Sequence, residues 1–105
     1  MDLQGAAAIV TGSSSGVGAA TAIMLAEKGC GVVINYSRSD AAAEKVAEQC
    51  RDVGGDVVVC QANVSKDEDC RRLVDAATER FGRLDAVVNN AGTTKFVNHR
   101  DLAGL

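Results

Sequence analysis

Residues 6–18 read Ala-Ala-Ala-Ile-Val-Thr-Gly-Ser-Ser-Ser-Gly-Val-Gly, and this stretch decides the fold. Ala6 to Thr11 is a continuous, largely apolar run ended by Gly12, the composition of a strand buried on both faces of a parallel sheet. Gly12 to Gly18 is a Gly/Ser loop. Beyond it Val17, Ala20, Met24 and other apolar positions carry a helix that stops at Gly29, with Lys28 favourably placed at its C-terminal end. A glycine loop between a buried strand and a helix suits a diphosphate. The glycines reach backbone angles other residues avoid and let the chain approach a ligand, while the helix start presents unpaired N–H groups and the positive end of its dipole. The spacing is G-x-x-x-G-x-G, without the Gly-Lys-Ser/Thr ending of an ATP-binding P-loop, and Gly/Ser clusters also make ordinary turns.

Outward from this unit the pattern repeats. Val32, Val33 and Ile34 make a second strand, and Asp40 can cap a helix whose Ala42, Val46, Cys50 and Val53 share one face before Gly54 and Gly55 end it. Val57 to Cys60 is a third strand. Ser65 and Glu68 then stand in capping-box spacing ahead of a helix buried through Leu73, Val74, Ala77 and Phe81 and closed by Gly82. Leu84 to Val88 is a fourth strand, ending in Asn89, Asn90, Ala91 and Gly92. Strands alternating with amphipathic helices over short loops imply right-handed β-α-β units, hence an α/β, Rossmann-type, doubly wound parallel sheet of order 3-2-1-4. Asp101 to Leu105 is read as the start of a further helix.

Dinucleotide-binding domains often carry an acidic residue at the end of the second strand to hold a ribose 2′-hydroxyl. Here that neighbourhood is Asn35-Tyr36-Ser37-Arg38. A carboxylate there would repel a 2′-phosphate, whereas Arg38 with Ser37 can pair with one through charge-assisted hydrogen bonds. The alternative is a solvated arginine in a polar loop.

Three motifs in order, Thr11-Gly12-x-x-x-Gly16-x-Gly18, Asn63-Val64 and Asn89-Asn90-Ala91-Gly92, resemble the signatures of the short-chain dehydrogenase/reductase family, and most those of its 3-oxoacyl-carrier-protein reductase-like and sugar-alcohol-like members. The resemblance covers essentially the whole chain as one dinucleotide-binding domain, 1–105, an incomplete sheet truncated relative to the family. It implies that Gly12, Ser13, Ser14, Ser15, Gly16, Val17 and Gly18 surround the cofactor's pyrophosphate and adenosine side. It places Asn63 beside adenine, accepting from the exocyclic amine, with Val64 offering its backbone N–H. Asn89 is assigned mainly to structure, and Asn90, Ala91 and Gly92 to the cofactor's neighbourhood. Asn63 replaces the family's more frequent aspartate but keeps an acceptor. Ser15 stands where many NADP-preferring relatives carry a basic residue.

The implied activity is an NADP(H)-dependent oxidoreductase interconverting a carbonyl and a secondary alcohol, with NAD(H) the alternative cofactor and a homo-oligomer the expected state of the intact protein. The family's catalytic serine and Tyr-x-x-x-Lys pair lie beyond the matched region. Tyr36 is the only tyrosine and Asp40 stands four residues after it, so the chain alone is expected to bind a dinucleotide without turning over substrate. A non-catalytic dinucleotide-binding module is the other reading. The fourth strand, which the family covers with a fifth, is expected to leave Leu84, Ala86, Val87 and Val88 with an unpaired edge.

Composition narrows the partners. With 47% apolar and 24% charged residues in 105, and a net charge of −3 spread along the chain, there is no basic stripe for nucleic acid and no apolar run of membrane-spanning length. Cys30, Cys50, Cys60 and Cys70 form no C-x-x-C pair, and the lone His99 completes no zinc pattern. The four cysteines are expected as reduced thiols in a cytoplasmic protein.

Overall fold

The computed structural model describes residues 3–14 and 16–90. In chain order they form β1 (Ala7–Val10), α1 (Gly16–Glu27), β2 (Gly31–Tyr36), α2 (Asp40–Asp52), β3 (Val57–Gln61), α3 (Asp67–Phe81) and β4 (Ala86–Val88). All pairings are parallel, in the order β3-β2-β1-β4, with Ile9 opposite Val33 on one side and Val87 on the other. This is the expected sheet. The helix expected from Asp101 lies outside the described residues. No helix among the described residues is long and apolar enough to cross a membrane.

The period-2 alternation of the strands divides the core into two layers. Ala8 and Val10, with Val32 and Ile34, face Ala22, Leu25 and Ala26 of α1 and Ala43, Val46, Ala47 and Cys50 of α2. Ile9 and Val33 point the other way, onto Cys70, Leu73 and Ala77 of α3. None of the four cysteines is in a disulfide, and burial pushes the thiols of Cys30, Cys50 and Cys60 up from their ordinary value.

The helix faces correct three expectations. Val17, Ala20 and Met24 do not carry α1 into the core: Val17 is 72% and Met24 49% exposed, and Ala20 is exposed too. The buried positions are Gly18, Ala22, Leu25 and Ala26. α1 is apolar nearly all round, so no polar face marks its outside. In α2, Ser39 and not Asp40 is the N-cap, its Oγ accepting from the Ala42 N–H at 3.4 Å, and Val53 is the exposed C-cap. The Ser65–Glu68 capping box does not form. Ser65 instead donates its N–H (3.0 Å) and hydroxyl (2.7 Å) to Asn63 Oδ1, and α3 starts two residues later with Asp67, Glu68 and Asp69 in its first turn. Those acids suit the positive helix end without a side-chain cap.

β4 pairs only with β1 among the described residues, and Leu84, Ala86, Val87 and Val88 are each half-buried. Its start is pinned by Asp85, whose Oδ2 accepts from the Ala7 N–H at 2.8 Å and whose two oxygens each take a 2.7 Å bond from Arg83. Arg83 first, and the Ala7 N–H second, hold the Asp85 carboxyl below the usual carboxylate range. A lowered carboxyl contributes stability that is fully present above its unfolded value near about 4 and is lost as pH falls through its folded value. Urea melts at stepped pH should show that loss in the wild type, and Asp85→Asn should flatten it.

Candidate functional site

Because every strand runs the same way, the segments after β1, β2, β3 and β4 gather at one edge of the sheet. The strand order reverses direction at β1, with β2 on one side and β4 on the other, and the crevice outside such a switch point is where open α/β sheets bind ligands. Gly12 to Gly18 occupies that place.

The first half of the loop is tied into the sheet. The buried Thr11 donates its N–H to the Val88 carbonyl at 3.0 Å, and its Oγ1 accepts from the Asn90 N–H at 2.9 Å. The Gly12 N–H donates to Asn35 Oδ1 at 2.9 Å. Ser13 and Asn35 are locked together: Ser13 N–H donates to the Asn35 carbonyl at 3.1 Å, and Asn35 N–H donates to Ser13 Oγ at 2.8 Å. Ser13 is 0% exposed. Its hydroxyl is therefore turned into the protein and does not face the loop's open side, where the resemblance placed it. A buried serine next to a strand end satisfies the backbone it lies against.

Asn35 is the residue sequence reasoning passed over. Buried at the end of β2, it accepts from Gly12 and donates through Nδ2 to the carbonyls of Ala62 (3.1 Å) and Tyr36 (3.3 Å), so one amide joins the loops after β1, β2 and β3. An asparagine closing an apolar Val-Val-Ile run is itself the signal. A polar side chain that deep must be bonded to something.

Gly16 and Gly18 have contrasting surroundings. Gly12 and Gly16 adopt φ +61° and +60°, the left-handed region that favours glycine, and a Cβ built at Gly16 meets nothing within 4 Å. That open space lies at the N-terminus of α1, where N–H groups lack helical partners. Gly18 is the opposite case: a Cβ there would overlap the Gly12 carbonyl oxygen and stand 2.7 Å from Asn90 Nδ2. Asn90 in turn donates through Nδ2 to the Gly12 carbonyl at 3.4 Å. Open space at Gly16 and the start of a helix thus coincide, and glycines with helix N–H groups are the chemistry that suits a dinucleotide's phosphates.

The remaining predicted residues divide. Ser14 is half-buried and makes no hydrogen bond to another described residue, and Val17 stands exposed at the helix start. Ser37 and Arg38 follow β2 on the same edge, both exposed, and Arg38 has neither hydrogen bond nor ion pair with another described residue. Asn63 and Val64 follow β3. The Asn63 carbonyl oxygen already takes both bonds from Ser65, which leaves Nδ2 donors, more than an acceptor, for a ligand. Ser15, Ala91 and Gly92 lie outside the described residues, as does His99.

The family model described as short chain dehydrogenase matches residues 6–104. A putative ketoacyl reductase of granaticin polyketide synthesis from Streptomyces violaceoruber is 49% identical over 96 residues, covering 91% of this chain and 37% of that protein. Among solved structures, a short-chain dehydrogenase/reductase from Serratia marcescens superposes with a TM-score of 0.82 at 39% identity, over 89% of this chain and 38% of that one. A 7α-hydroxysteroid dehydrogenase solved with NADH and 7-oxo glycochenodeoxycholic acid superposes at 0.81 and 34% identity, over 87% of this chain and 35% of that one. The chain thus spans well under half the length of the relatives it matches. By its family match, its parallel sheet and its glycine loop, this chain belongs to the short chain dehydrogenase family.

Proposed function

We propose that the chain is the cofactor-binding part of an NADP(H)-dependent oxidoreductase that interconverts a carbonyl and a secondary alcohol. The dinucleotide supplies hydride chemistry when bound; the chain's own residues hold and orient it. Gly12, Gly16 and Gly18 bring backbone N–H groups and the α1 dipole to the diphosphate, with Ser14 and Ser15 as hydroxyl donors. Asn90, Ala91 and Gly92 border the ribose. Asn63 offers its Nδ2 donors, and Val64 its N–H, to adenine ring nitrogens. Proton transfer and substrate recognition are assigned to residues other than those described.

Arg38 is the observation that carries the cofactor preference: an exposed guanidinium without a described partner, just past β2, with no acid among Asn35, Tyr36 and Ser37. A solved relative of the same fold holds NADH, so the preference proposed here rests on this segment and not on the fold. Arg38→Ala should cost about 1.5–3 kcal/mol of NADP(H) binding, the range for hydrogen bonds to charged groups, and leave NAD(H) nearly untouched. Titration calorimetry with both cofactors tests this. Equal losses would refute the preference.

A further inference from the structure

Tyr36 and Gln61 are the last paired residues of β2 and β3, and the Ala62 N–H still donates to the Tyr36 carbonyl at 2.9 Å before the segments carrying Arg38 and Asn63. A chain of side-chain hydrogen bonds links these two segments. Arg72, on α3, donates through Nε to the Gln61 carbonyl and through Nη2 to Gln61 Oε1, both at 3.1 Å. Gln61 Nε2 donates across the gap to the Ser37 carbonyl at 3.2 Å. On its other side Arg72 Nη2 lies 3.4 Å from Asp69 Oδ1, and Asp69 Oδ2 accepts from the Asn63 N–H at 2.7 Å.

We propose that Arg72 is a positioning residue for cofactor selectivity, acting through Gln61 to hold Ser37, and with it Arg38, in register with the Asn63 loop. The inference rests on the NADP(H) reading and names the device that makes it work. The amide of Gln61 is the coupling element. Arg72 fixes which end of that amide is the oxygen, because a guanidinium only donates. With Oε1 held, Nε2 faces Ser37, and the carbonyl it binds belongs to the residue preceding Arg38. The fork geometry matters: lysine has no planar pair of donors to engage both Gln61 oxygens at once. Arg72 itself touches no ligand. It lies behind Gln61, and its effect reaches a 2′-phosphate only through the Ser37–Arg38 segment, whereas glycine-loop contacts shared by NAD(H) and NADP(H) are untouched.

The test is the ratio of NADP⁺ to NAD⁺ affinity, read by titration calorimetry, in the wild type, Arg72→Ala, Gln61→Met, their double variant, Arg72→Lys and Arg38→Ala. Arg72→Ala and Gln61→Met should each lower the ratio about 3–10-fold, in the range of measured network couplings, and the double variant should fall no further than either. Arg72→Lys should not restore the ratio, because lysine lacks the fork that engages both Gln61 oxygens. Additive effects or rescue by lysine would mean Arg72 acts as a remote charge and would overturn the proposal. If Arg38→Ala lowers the ratio and neither Arg72→Ala nor Gln61→Met does, the coupling is refuted while the NADP(H) reading stands. If Arg38→Ala leaves the ratio unchanged, both fall.

Discussion

Asn35→Asp should destabilise the fold by about 3–5 kcal/mol at neutral pH, the cost of leaving a buried charge without its partner, against a total of about 5–15 kcal/mol for an ordinary domain. The substitution is nearly isosteric, so packing is not the cause. Aspartate keeps the oxygen that accepts from Gly12 but turns the two Nδ2 donors into an oxygen facing the carbonyls of Ala62 and Tyr36. Burial at 2% exposure then disfavours the ionised form and raises the new carboxyl's folded pKa above its unfolded value near about 4. The sign follows. The penalty is largest where the carboxyl must be ionised in the unfolded chain and shrinks as pH falls, because a protonated acid regains one donor. Urea melts of both proteins at pH 8, 6 and 4.5 should converge towards acid. A difference that is small or independent of pH would mean that Asn35 is not the buried junction described above.

Gly18→Ala should be the most damaging single methyl in the loop. The added Cβ meets the Gly12 carbonyl carbon at 3.0 Å and overlaps its oxygen. Backbone held by Asn35 and Thr11 cannot swing aside as a flexible side chain would. Overpacking of this kind costs typically about 1–3 kcal/mol, and here relief requires moving that carbonyl of the glycine loop. The variant should therefore lose dinucleotide binding at concentrations that saturate the wild type, with a lowered urea midpoint. Gly16→Ala is the informative comparison. Its Cβ meets open space, but φ of +60° carries a strain of about 1–2 kcal/mol. Gly16→Asn, which tolerates that conformation, should recover part of the loss, whereas no residue larger than glycine should rescue position 18.

The sheet was legible in the sequence because burial on two faces leaves little choice of composition: Ala6 to Thr11 and Val32 to Ile34 read as strands whichever way they face, and Val57 to Cys60, only partly buried, reads as one from its β-branched run. The glycine loop was legible for a related reason, since the φ values at Gly12 and Gly16 and the contact at Gly18 each demand the residue present. α1 was legible as a helix but not as an oriented one. With Val17, Ala20 and Met24 apolar and Ala22, Leu25 and Ala26 apolar too, a pattern of polarity does not record which side packs. The capping box failed because Asn63, two residues ahead of Ser65, competes for the same donors. Ser13 and Asn35 exchanged importance for a similar reason: composition marks a serine in a glycine loop as a ligand contact, while the reciprocal pairing that buries it depends on a residue 22 positions away.

That pairing bears on how quickly a nucleotide can be captured. Thr11, Gly12 and Ser13 hold their positions through bonds made entirely within the protein, so this part of the receptor does not wait for the ligand to assemble it. Segments that must order on encounter slow association and give relaxation rates that level off at high ligand concentration. A loop half of which is already fastened to the neighbouring strand points to the other regime, in which the observed rate climbs in proportion to nucleotide concentration.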